Sequence, residues 1–200
     1  MRIIPGTVEA KEKQYSLNFI RETDVSLRWT LAAEMHLYTT LSRTPQEQNP
    51  TLFVATINEP AIMLGRFQNA QAVLKPEAWE KYPVLRRLSG GPAVFMGEGS
   101  IYMSLVIPNY AHHLKVQSVR TLPKTLNDIM LSALRAEGLS LSLAASDVLT
   151  KRGYEIGGLG FEVKGNVTVW ECWLGVNAPV SVPAELSAYP ALSDDAFARN

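Results

Sequence analysis

Apolar positions recur every three or four residues in two stretches of the chain, and they alternate or cluster in short runs elsewhere. In residues 26–41, Leu27, Leu31, Met35, Tyr38 and Leu41 form one stripe, which predicts a helix with Asp24 or Ser26 as its cap. Residues 121–137 carry a second stripe of Leu126, Ile129, Met130, Ala133 and Leu134, with Pro123 in the first turn and Gly138 at the stop. Residues 76–81 begin with Pro76 and read as a short helix. Strands are predicted over 51–57, 61–64, 84–88, 101–107, 139–143, 147–150, 154–163 and 167–176. Residues 17–20 form a strand or an irregular arm, and 185–189 a terminal helical turn. Lys164-Gly165-Asn166 joins the last two strands as a hairpin turn. The segment 84–95 reads as another hairpin turning at Ser89-Gly90-Gly91-Pro92, and the tail 193–200 reads as loose. Hairpins interrupted by a few helices predict an α+β fold, a mainly antiparallel sheet with helices packed against it.

Composition narrows this picture. The chain has 200 residues, 46% apolar, enough for one domain with a real core. Nineteen basic and nineteen acidic side chains cancel, which argues against a nucleic acid or an anionic membrane surface as partner. Cys172 is the only cysteine, so no intramolecular disulfide is possible, and this fits a reducing compartment. The N-terminal residues 1–13 lack the apolar core of a signal peptide, and no apolar run approaches the ~20 residues of a membrane span. The expectation is a single cytoplasmic domain over 1–200.

Chemistry concentrates at Arg86-Arg87-Leu88-Ser89-Gly90-Gly91. Guanidinium forks pair with carboxylate or phosphate, and glycines let backbone N–H groups approach, so this is a candidate anion cradle; a hairpin with a solvated arginine pair is the competing reading. Alternation over 101–107 puts Tyr102, Ser104 and Val106 on one face, so Ser104 could face the same pocket. His112 and His113 invite a metal hypothesis, but no cluster of further ligands supports it. Cys172, on a predicted strand, is either a nucleophile or a small buried hydrophobe.

RRLSGGPAV resembles the RRxSGGGAV signature of the lipoate–protein ligase and octanoyltransferase family, relatives of biotin protein ligase. Pro92 stands for the third glycine, and Met96-Gly97-Glu98 replaces the His-Asp that follows. Residues 26–41 resemble the family's first helix, with Glu34 as its acidic residue, and Gly65-Arg66-Phe67-Gln68-Asn69 resembles G-R-x-Q-N. Ser146-Asp147, Ile156-Gly157-Gly158-Leu159-Gly160 and Leu174-Gly175-Val176-Asn177 resemble a second family segment. The resemblance covers about residues 26–178 and leaves no room for the accessory domain that many of the ligases carry.

The resemblance implies the biotin/lipoate ligase catalytic-domain fold. It also implies an acyl pocket drawing on Arg66, Arg87, Ser89, Gly90, Gly91 and Ala93, with Asp147, Gly157 and Gly158 contributing from the second segment. Its implied substrates are lipoate or octanoate, with ATP and Mg if the protein is a ligase and no tightly bound cofactor. The implied partners are a lipoyl carrier domain, an acyl carrier protein or a complementary subunit. The family's catalytic lysine is replaced by Glu155, and the family's histidine before the following glycine is lost, with Trp170 and Glu171 occupying that region. A carboxylate cannot stabilise a developing anion as an ammonium does. Three readings follow: Lys151 or Lys164 substitutes, Glu155 and Cys172 support different acyl chemistry, or the fold persists without transfer. Biotin transfer is disfavoured because the biotin ligases' glycine-arginine-glycine signature is absent.

Overall fold

A computed structural model describes residues 16–44, 48–116, 118–177 and 180–189. The signal-peptide reading of residues 1–13 and the loose-tail reading of 193–200 lie outside the described residues. Among the described residues, ten strands form two sheets. In the larger sheet the spatial order is β1 (Asn18–Val25), β2 (Thr51–Ile57), β6 (Ile101–Ile107), β10 (Val167–Leu174), β9 (Tyr154–Lys164), β8 (Val148–Lys151) and β7 (Ser142–Ala144). Every neighbouring pair is antiparallel except β1 with β2. The smaller sheet has β3 (Ala61–Leu64) at its centre, between β4 (Val84–Arg86) and β5 (Val94–Met96). The α+β expectation stands, with two sheets in place of one.

Helix α1 (Leu27–Leu41) packs on one face of the large sheet, where Leu27, Phe53, Ala55, Tyr102 and Trp173 meet Met63 and Met96 of the small sheet. Helix α5 (Leu122–Ala136) packs on the other, where Leu126 joins Ile107, Leu149, Leu159, Trp170 and Cys172. Both faces of β10 are therefore covered and all of its residues are buried, which explains its nearly continuous apolar sequence. Short helices α2 (Ala70–Val73) and α3 (Pro76–Lys81) cover the small sheet, while α4 (Tyr110–Leu114) carries the histidine pair that the sequence assigns to a loop.

Three expectations need correction. Segment 84–95 is not a hairpin: β4 pairs in parallel with β3, and β5 pairs with the opposite edge of β3. All four residues of β3 are buried, and this apolar strand takes the central place. The signature loop consequently arches over the end of β3, so close that a Cβ on Gly65 would lie 2.0 Å from the Gly91 carbonyl oxygen. In α1 the buried residues are Leu27, Thr30, Glu34 and Leu41, whereas Met35 is 47% exposed. Glu34 takes the inward position because it finds a buried partner, described below. In α5, Ile129 and Ala133 face outward, and Asn127 is buried beside Leu126. Ser26 is the N-cap of α1, its hydroxyl accepting from the Trp29 N–H at 3.2 Å.

Gly157 and Gly158 on β9 lie against Leu174 and Trp173, and a Cβ on Gly158 would sit 2.6 Å from the Trp173 ring. Gly158→Ala should therefore force β9 and Trp173 apart. The expected loss is about 1–3 kcal/mol, read from the denaturant midpoint.

Candidate functional site

Arg86 and Arg87 point in opposite directions, as successive strand residues do. Arg86 Nη1 donates to the carbonyls of Gly65, Arg66 and Gln68 at 2.7, 2.9 and 2.9 Å, which fixes the turn after β3. Arg87 points inward and its side chain is 0% exposed. It donates to Ser89 Oγ, to the Gly90 carbonyl and to the Met63 carbonyl, and its guanidinium lies 4.5 Å from the Trp173 ring centroid.

Glu171, fully buried on β10, anchors the same loop. Its Oε1 accepts from the Leu88 and Ser89 N–H groups at 3.1 and 3.4 Å, and the Ser89 hydroxyl donates to its Oε2. Arg87 Nε stands 3.8 Å from Oε2. The contact requires Gly160 on β9, where a Cβ would lie 2.0 Å from Ser89 Oγ and 2.7 Å from Glu171 Oε2. Above this pair lies Glu34, also fully buried, accepting from the Tyr102 hydroxyl at 3.0 Å. Burial first, and the Glu171 charge second, hold the Glu34 carboxyl well above the usual carboxylate range. Burial lowers the Arg87 pKa and Glu171 opposes that shift. The arrangement buries one guanidinium together with two carboxyl groups, Glu34 and Glu171.

Beside this network opens a cleft of about 300 Å³ lined by Gly90, Gly91, Asn127, Asp147, Gly160 and Phe161, among others. Asn127 sets its far wall: Trp170 Nε1 donates to Asn127 Oδ1 at 2.8 Å, and Asn127 Nδ2 donates to the Ser146 carbonyl at 3.2 Å. The signature glycines and Asp147 thus meet in one cleft.

The other sequence candidates are placed elsewhere. Ser89 lies beneath the cleft in the Glu171 network, and Ser104 is buried opposite Glu171 on β6. Ala93 packs with the small-sheet core. Arg66 is ion-paired with Glu162 and stacks over Phe67 at 5.4 Å. Glu155 stands at the exposed start of β9, where partial burial, and then the Asp147 charge, raise its carboxyl above the ordinary value. Lys151 is exposed at the end of β8, and Lys164 is at the opposite end of β9 from Glu155, about 30 Å away along the strand. Cys172 faces the α5 side in the apolar core, away from Glu171, and burial pushes its thiol far up. Sequence reasoning missed the roles of Glu171, Gly160 and Asn127. The available signals were a glutamate inside an otherwise apolar strand and an asparagine beside an apolar stripe.

A family model described as the lipoyl protein ligase A/B catalytic domain matches residues 28–191. The chain belongs to this family. No curated protein matches it. Solved structures share the fold of this lipoyl ligase-family chain. A Thermoplasma acidophilum bi-partite lipoate protein ligase, described with its E2 lipoyl domain, aligns at TM-score 0.71 and 19% identity over 92% of this chain and 71% of that one. Plasmodium falciparum LipL1 in complex with lipoate aligns at 0.68 and 16% identity over 86% of this chain and 51% of that one, so the present chain spans about half the length of that relative. A lipoate-protein ligase A bound with ATP aligns at 0.67 and 18% identity, over 86% and 73% of the two chains.

Two measurements check this electrostatic arrangement. The folded protein keeps the Glu34 proton while the unfolded chain releases it above about pH 4.3, so this group costs stability as pH rises from there toward its folded value. Glu34→Gln should remove that loss, up to about 1.4 kcal/mol per pH unit relative to wild type, in denaturant titrations carried upward from about pH 4.3. Cys172 should react with a thiol reagent only as fast as the protein opens, so its labelling rate should track unfolding across a denaturant series.

Proposed function

We propose that this chain serves in protein lipoylation in the cytoplasm as a partner-dependent member of its family. It engages an acyl ligand or the acylated arm of a lipoyl carrier domain at the Gly90–Asp147 cleft, and it does not complete transfer unaided. The observation that carries this reading is the cleft lining, where none of the described residues is a lysine, arginine or cysteine. Acyl transfer to a carrier lysine needs a group that stabilises the developing anion or acts as nucleophile. Arg87 is packed inside, Cys172 is in the core, and Glu155 and Asp147 bring negative charge. A complementary subunit supplying the missing cation would complete the site. The bi-partite organisation of the Thermoplasma relative supports such an arrangement.

A second reading, unaided lipoate or octanoate transfer with a thioester or with ATP and Mg, draws support from one feature: the glycines of the signature and Asp147 of the second family segment share a cleft.

Mass spectrometry of a lipoyl domain incubated with the chain decides between them. With lipoate and ATP, or with octanoyl acyl carrier protein, the expected result is carrier or acyl binding by titration and no carrier acylation. Glu155→Lys should raise acylation above background if the position alone is limiting. Acylation by the wild-type chain alone would establish the second reading. Absence of binding to both carrier and acyl ligands would remove the first.

A further inference from the structure

Four donors at the start of the signature loop, which an anionic ligand could otherwise use, are turned inward and engaged. The Leu88 and Ser89 N–H groups and the Ser89 hydroxyl all donate to one carboxylate, Glu171, with the Arg87 guanidinium beside it. Two oxygens, one negative charge and a planar group are what a fatty acid carboxylate would bring to the same donors. The protein supplies that group itself, from the middle of β10.

We propose that Glu171 is a specificity-determining residue that occupies the signature's anion cradle from within, so that the adjoining cleft takes neutral acyl groups, as thioesters or amides, and excludes free carboxylic acids and acyl phosphates. This rests on the acyl-binding reading above.

Three further observations carry it. Charge in the network is balanced, Arg87 against Glu171, and a second buried anion there would have no partner. Among the described residues, the only charged one lining the cleft is Asp147, which repels anions. Gly160 leaves the space that the Ser89–Glu171 contact needs, so β9 and β10 are matched to this internal occupant. The neutral ends of an acyl thioester or an acyl-lysine amide would need only hydrogen-bond donors, and the Gly90–Gly91 backbone lies at the cleft wall.

The test is calorimetric titration of wild type and Glu171→Gly with S-octanoyl-pantetheine, octanoate and sulfate. Wild type should bind the thioester at least about ten-fold more tightly than octanoate and should show no saturable sulfate binding. Glu171→Gly should gain about ten-fold or more for octanoate and take up sulfate, and adding Arg87→Ala should abolish both gains. Equal wild-type affinity for octanoate and thioester overturns the proposal, and this comparison stands even if the variant fails to fold. A folded Glu171→Gly that gains neither anion overturns it as well. Sulfate uptake by the variant, with no acyl ligand bound by either form, would sink the acyl reading while leaving Glu171 as the occupant of the cradle.

Discussion

The buried contact of Arg87 and Glu171 is the constraint on which the rest of the molecule depends. Arg87 leaves β4 of the small sheet, and Glu171 stands in the middle of the large one. Through the backbone of Leu88 and Ser89 and the carbonyls of Met63 and Gly90, the pair fastens the signature arch to both sheets. Helix α1 is drawn into the same network by Glu34, and β6 by Tyr102. Charges with no access to water are stable only when matched, and removing one partner of such a pair commonly costs about 3–5 kcal/mol. The interior is therefore assembled around a balance of charge as much as around apolar volume.

That balance shapes the cleft beside it. The donors closest to the signature glycines are turned into the protein, and the outer wall is set by the Trp170–Asn127–Ser146 chain of hydrogen bonds. What reaches the cleft is backbone, small side chains, an aromatic edge and Asp147. A family fold is preserved, but the polarity of its central recess differs from what the arginine-rich signature suggests.

Much of the architecture is legible in the sequence because local signals agree with it. Ser26, Pro76, Pro123 and Gly138 mark helix ends as their backbone chemistry requires, and the Gly165 turn joins β9 to β10. Failures occur where a residue's role is set by a distant partner. Glu34 is buried and Met35 exposed because Tyr102, 68 residues away, donates its hydroxyl to the Glu34 carboxyl. Arg87 reads as a ligand-binding arginine until Glu171 is placed next to it. The hairpin expected over 84–95 fails because β3, earlier in the chain, inserts between its arms. Pattern reports the period of burial along an element; it does not report which other element supplies a charge or inserts as a neighbour.

The separation of Arg87's loop from Glu171 has a consequence in time. Ser89 and its carboxylate partner are 82 residues apart in the chain. During synthesis from the N-terminus, the signature arch is complete long before β10 exists to meet it. Until then the Leu88 and Ser89 N–H groups lack their carboxylate partner, although Arg87 can already reach the Met63 and Gly90 carbonyls. The central strand β10 is among the last to arrive, and its docking closes the large sheet and neutralises the arch in a single event. Folding of this domain is thus expected to be gated by long-range closure, with the signature loop ordering late despite its early place in the sequence.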